Sequence, residues 1–269
     1  MTDFLERKSA KRERPQRTRR SRRVRGWIAV AVVVLALVGA VFALDGVGRN
    51  AVADLISQNF RSALAVPEST PVTVNVGGDL LATQLLTSKL SQVAIDAKSV
   101  KFGEATGAAR FVLVGLPLDQ SKTVDAVKVT FFMKSDGLAP FFASMFSQES
   151  TPTVSTTPGL LIVSTSEKIL GATIPLKVSY TLGVDAGKLT LTPTVIVLNN
   201  ATFTVAEVQA KFGAIATPLV QPRTVCVANL LPAAFPLYEV APNEGNLAFV
   251  LVGQHVSLSK TALSVKGTC

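Results

Sequence analysis

The chain has 269 residues, 48% of them apolar, with one Trp, two Tyr, fourteen Phe and a formal net charge of +9. That charge is concentrated: residues 1–25 hold eleven Lys/Arg and three acids (+8), and the remainder holds sixteen and fifteen (+1). A nearly neutral main body has no basic face to neutralise phosphates, which argues against a nucleic-acid-binding domain.

After the basic tail comes Gly26 to Leu44, GWIAVAVVVLALVGAVFAL, without a charge. At 1.5 Å per residue this run reaches roughly 28 Å, close to the thickness of a bilayer's hydrocarbon core. Trp27 stands at its near boundary, with Arg22, Arg23 and Arg25 before it and Asp45 after it. The positive-inside rule then keeps the N-terminus in the cytoplasm and exports everything from Asp45 onward. A cleaved signal peptide is the alternative, with Val41-Phe42-Ala43 as the cleavage site. The expected division is a cytoplasmic tail (1–25), a transmembrane anchor (26–44) and an extracytoplasmic domain (45–269).

Asn50 to Leu64 places Val52, Leu55, Ile56, Phe60, Ala63 and Leu64 at helical spacing, with Asn50 as N-cap and Pro67 closing the stretch. From Pro71 the period becomes two: Val72, Val74 and Val76 lead into a Gly77-Gly78-Asp79 turn. Strands are expected over Val93 to Phe102, Arg110 to Leu116 and Thr123 to Lys134. In the last of these Val127, Val129, Phe131 and Met133 share a face opposite Lys128, Thr130 and Lys134. A Phe-rich helix is expected over Leu138 to Phe146, capped by Asp136, and then a polar Ser/Thr/Pro loop over Ser147 to Gly159.

Further strands are expected at Leu160 to Ser166, Ile174 to Val184 and Lys188 to Leu198, the last two joined through Asp185-Ala186-Gly187. Alternation puts Leu189, Leu191, Val195 and Val197 on one face. Thr204 and Glu207 have capping-box spacing for a helix over Val205 to Phe212, ended by Gly213. After the segment Cys226 to Pro232, a final strand pair, Pro236 to Val240 and Leu247 to Leu258, closes the chain around Pro242-Asn243-Glu244-Gly245. Strands joined by short turns, without regular crossover helices, predict an α+β domain with a mainly antiparallel sheet.

Cys226 and Cys269 are the only cysteines. In an oxidising compartment an even count of two reads as one disulfide. A metal pair or a catalytic thiol is the alternative, but there is no CxxC and His255 is the sole histidine. No metal or other cofactor is expected.

The common catalytic motifs GxSxG, HExxH, GxGxxG and GxxxxGK[ST] are absent. A serine triad would need His255, whose neighbours Ser257 and Ser259 share its strand face. Residues two apart on one strand stand roughly 6–7 Å apart, too far for direct proton transfer. Asp79, Asp96, Asp119, Asp125, Asp136 and Asp185 fall in turns or on polar strand faces, where a carboxylate is ordinarily solvated. The Phe residues are more suggestive. Phe131 and Phe132 point to opposite faces of one strand, and Phe141, Phe142 and Phe146 follow closely. They are read either as two core layers or as the lining of an apolar groove for acyl chains, and these five are the expected lipid contacts.

The order of parts resembles the LmeA-like proteins of the actinobacterial envelope: basic tail, anchor, amphipathic helix, a Val-x-Val-x-Val strand into Gly-Gly, and two closing cysteines. Val72 to Leu86, VTVNVGGDLLATQLL, is similar to that family's strand, glycine and Leu-x-x-Gln-Leu-Leu segment, and Val93-x-Ile95-x-Ala97 fits the strand that follows. Cys226-Val227-Ala228-Asn229-Leu230-Leu231-Pro232 and Lys266-Gly267-Thr268-Cys269 match its closing pattern. The chain departs from it at Asp79-Leu80, where a Pro-Phe type pair is frequent, and at Ser88, where Gly is common. The resemblance implies an envelope protein acting on membrane phospholipid, with an elongated sheet domain like the tubular lipid-binding folds. Phospholipase A activity is a second implication, with no residues to carry over for it. A non-catalytic envelope scaffold is the third reading.

Overall fold

The structure is a computed structural model that describes residues 45–62, 66–102, 105–119, 121–139, 152–169 and 172–269. The tail and the apolar run 26–44 lie outside the described residues, and no helix among those described is long and apolar enough to cross a membrane.

An amphipathic helix, α1, covers residues 45–62. It starts before Asn50, so Asn50 is an internal helical residue and not the expected cap. Six strands then form sheet A in the order β1 (Val72–Gly77), β2 (Lys89–Phe102), β3 (Ala105–Pro117), β4 (Val124–Lys134), β12 (Asn246–Val256), β11 (Leu237–Asn243). Between β1 and β2 lies a short helix, α2 (Leu81–Leu86), which hydrophobic period alone did not reveal.

Sheet B has the order β10 (Arg223–Cys226), β8 (Lys188–Leu198), β7 (Ala172–Asp185), β6 (Leu160–Ile169), β5 (Thr153–Thr157), with β9 (Ala201–Thr204) also on β8. All pairings in both sheets are antiparallel. Helices α3 (Val205–Phe212) and α4 (Thr217–Val220) follow β9, and α5 (Lys260–Ser264) lies near the C-terminus. The fold is therefore the expected mostly antiparallel α+β arrangement.

Three expectations need correction. Thr153–Thr157, inside the expected polar loop, is strand β5: its threonines and serine alternate with buried Val154 and Thr156, a strand pattern that polar composition conceals. The expected helix start at Leu138 is instead the end of a 3-10 turn, Ser135–Leu138, whose N-cap is Lys134. The greater part of the expected Phe-rich helix, residues 140–146, is outside the described residues.

The third correction concerns β8. Its pairing shifts between Ser179/Tyr180 of β7, so that Ser179 faces Val195 while Tyr180 faces Pro193. Thr194 is the extra residue, and its hydroxyl donates to Ser179 O at 3.0 Å. One inserted residue inverts everything beyond it. Ile196 is consequently fully buried with Leu189 and Leu191, whereas Val195 and Val197 are only half-buried.

The two sheets share one apolar core. They are also tied through backbone, Gly159 N–H donating to Pro242 O at 3.0 Å and Gly245 N–H to Thr156 O at 3.3 Å. The disulfide is formed: Cys226 and Cys269 have Cα atoms 5.9 Å apart and join the last residue to β10. That pairing sets aside the metal and thiol readings of the two cysteines. Among the described residues no group of His, Cys, Asp and Glu is gathered as a metal site would need.

Candidate functional site

Antiparallel register lines up one face of sheet A in rows that cross the strands. Val74 opposes Ile95, which opposes Phe111, then Val129, Leu251 and Leu237. The next row runs Val72, Ala97, Ala109, Phe131, Phe249, Val240. A third runs Val76, Val93, Leu113, Val127, Gly253. No polar side chain enters any of these rows. Each strand contributes alternate residues to the face, so an uninterrupted apolar surface requires all five registers between the six strands to agree.

Helix α1 covers part of this face. Val52, Ala53, Ile56 and Phe60 pack against the apolar core, and the rings of Phe60 and Phe111 meet edge-on with centroids 5.1 Å apart. Beneath this cover Val72, Val74, Phe111, Val129 and Phe249 remain only half-buried, while Ile95, Phe131 and Leu251 are buried. The face is thus apolar, with these five half-buried side chains partly open to solvent. Gly107 is required here, because a Cβ at that position would stand 2.2 Å from Phe132 O and 2.8 Å from the Phe131 ring.

The helix is held by polar groups at one end. The Arg49 guanidinium donates to Val76 O at 2.7 Å and also to Gly78 O and Asp79 O. From the other side buried Gln84 of α2 donates to Gly77 O at 3.1 Å and to Asp79 O, and accepts from Ser91 N–H at 2.8 Å. Gly78 has φ 89°, and a Cβ there would lie 2.5 Å from Ser91 Cβ. The Gly-Gly turn and the glutamine of the Leu-x-x-Gln-Leu-Leu segment are therefore one clamp, which composition gives no means of seeing.

Of the five Phe residues expected to contact lipid, Phe131 lies on the apolar face. Phe132 points to the opposite face, 37% exposed, and Phe141, Phe142 and Phe146 are outside the described residues. Phe111 and Phe249 belong to the face without having been singled out, and Val129 shares it with Phe131 as expected.

His255 lines an open cleft of about 610 Å³ with Tyr238, Gln254 and Ser257. Its ring has no hydrogen-bond partner among the described residues, and Ser257 Oγ lies 3.1 Å from Ser259 Oγ. Asp125, on the neighbouring strand, is bound to Lys89 at 2.9 Å. Asp96 pairs with Arg110 at 3.7 Å on the outer face. In the β3–β4 turn Asp119 accepts from the Ser121 hydroxyl and N–H, which hold its carboxyl below the usual range. These carboxylates contact Lys89, Arg110 and Ser121, each on its own stretch of sheet A.

A protein-family profile described as LmeA-like phospholipid-binding matches residues 43–249. The chain belongs to the LmeA-like phospholipid-binding family. The match takes in α1, the whole apolar face except Leu251 and Gly253, and sheet B. No curated protein matches the chain, and no solved structure does.

Proposed function

We propose that this LmeA-like protein is an anchored, extracytoplasmic phospholipid-binding protein whose acyl-chain site is the apolar face of sheet A beside α1. The observation that carries this reading is the set of unbroken apolar rows, half-exposed at Val74, Phe111, Val129 and Phe249, under an amphipathic helix. Each methylene moved from water onto such a surface contributes about 0.8 kcal/mol, so an acyl chain is held without polar recognition. A sheet covered by one amphipathic helix is also what a tubular-type lipid site needs. The family membership supports the ligand class, and the oxidised Cys226–Cys269 pair supports an exported domain. The apolar run 26–44, with its arginines on one side, supports the anchor.

The test is mass spectrometry of lipid extracted from the purified full-length protein. Phospholipid is expected with wild type and lost with Phe249→Asp, which places a charge on the half-buried face. Lipid-free wild type that also ignores vesicles would overturn the reading.

A further inference from the structure

The described domain begins at one end of sheet A, and that end carries an exposed apolar rim. Register places Gly77, Lys89, Pro117, Val124 and Val256 at the same end of their strands. The segments projecting beyond them carry Leu85 and Leu86 on α2, Leu118 after β3 and Leu258 after β12, all exposed, Leu86 to 86%. Leu118 is tied to the end of α2 by its N–H to Ser88 O at 3.0 Å, so the leucines of α2 and Leu118 belong to one patch. The opposite end is different: Lys134, Asn243, Glu244 and Asn246 stand there, beside Pro242 and Gly245, whose backbones are bonded to Gly159 and Thr156 on the sheet B side. Leucines so exposed on a folded surface mark a place where apolar surface meets something other than water.

Two observations say what covers the rim. The first described turns of α1 are located here, because Gly48 lies against Leu81, where a Cβ would come within 2.8 Å of Leu81 Cδ2, and Arg49 binds the Gly78 and Asp79 carbonyls. The apolar run 26–44 ends four residues before Gly48, at most about 14 Å of extended chain. In addition, the charges around the rim offset one another: Arg49, Lys89 and Lys122 against Asp79, Asp119 and Asp125. A neutral apolar rim beside a bilayer anchor fits the interfacial region of that bilayer.

We propose that this end of sheet A docks on the phospholipid bilayer, Leu85, Leu86 and Leu118 entering the interface. The inference rests on the anchored reading above and deepens it: lipid reaches the apolar face from the membrane to which the protein is tethered. Insertion here is apolar, so it is insensitive to salt.

The full chain contains one Trp, Trp27, which reports on the anchor. Wild type and three variants in a Trp27→Phe background, Leu86→Trp, Leu118→Trp and Ile215→Trp, are reconstituted in phosphatidylcholine vesicles with brominated acyl chains. Ile215, 71% exposed, lies between Leu86 and Leu118 in exposure but in the 3-10 turn after α3, on the sheet B side. Docking requires bromine quenching of Trp27 in wild type and of the tryptophans at positions 86 and 118, with none at 215 and no change on adding salt. Quenching of Trp27 without quenching at 86 or 118 overturns the docking and leaves the anchor standing. No quenching of Trp27 removes anchor and docking together. Equal quenching at 215 overturns a localised contact, as does concentration-dependent burial of positions 86 and 118 without vesicles, which would assign the rim to a second copy of the chain.

Discussion

Ser88 ends α2 with φ 54°, a left-handed conformation that costs a side-chain-bearing residue about 1–2 kcal/mol and glycine almost nothing. The family's common glycine at this position has its physical reason there: the residue just past a helix closes it by turning left-handed. Ser88→Gly is therefore expected to raise the unfolding free energy by about 1 kcal/mol, read from the urea midpoint. Tyr180 shows a different kind of cost. It is 2% exposed, and burial pushes its hydroxyl up to about 12, with Arg223 pulling slightly the other way. Between pH 10 and about 12 the unfolded chain loses this proton while the folded chain keeps it, so stability falls as pH rises through that window. Tyr180→Phe is expected to remove that component of the slope in urea melts across alkaline pH.

Elements show which signals a sequence carries. The capping box formed as spacing required: Thr204 Oγ1 accepts from Glu207 N–H at 3.2 Å, and Thr204 N–H donates to the Glu207 carboxylate at 2.7 Å. That hydrogen bond, with a second from the Thr204 hydroxyl, keeps the Glu207 carboxyl below its usual range. The stabilisation is present above pH 4.5 and is lost as pH falls through the lowered value. Thr204→Ala is expected to cost about 1 kcal/mol in chemical denaturation at neutral pH, and less in acid. Strands β1 and β4 of sheet A were legible because their apolar residues alternate. The second half of β8 was not, since the bulge at Thr194 comes from a pairing partner 15 residues away. Strand β5 was concealed by Ser and Thr, which stand for loop in composition and for strand in alternation. The apolar face was legible only in part: Phe131 was expected on an apolar strand face and lies on one, whereas Phe111 and Phe249 read as ordinary strand residues. A residue that faces a ligand and one that faces a core have the same period, and only the registers across six strands tell them apart.

At the scale of the molecule, the chain from Cys226 to Cys269 leaves sheet B, supplies β11 and β12 to sheet A, and returns to its start through the disulfide. The return is reinforced by Ala233 N–H to Val265 O at 2.8 Å and Gly267 N–H to Leu231 O at 3.1 Å. The bond thus fastens the two sheets together as well as the end of the chain. Loop closure of this length is worth up to ~4 kcal/mol. Reductant, or Cys269→Ser, is expected to lower the urea midpoint accordingly and to separate the melting of the two sheets. A single unshifted transition under reduction would count against the fastening.

The place of β12 between β4 and β11 also imposes a schedule. Strand β4 is complete at Lys134, yet its partner does not begin until Asn246, so more than a hundred residues are synthesised while the flank of β4 stays open. Backbone donors beside Phe131 and Phe132 then await the last stretch to be delivered, and such an open edge invites pairing with other chains. A nascent molecule halted after Cys226 would carry a finished second half and an unfinished first one.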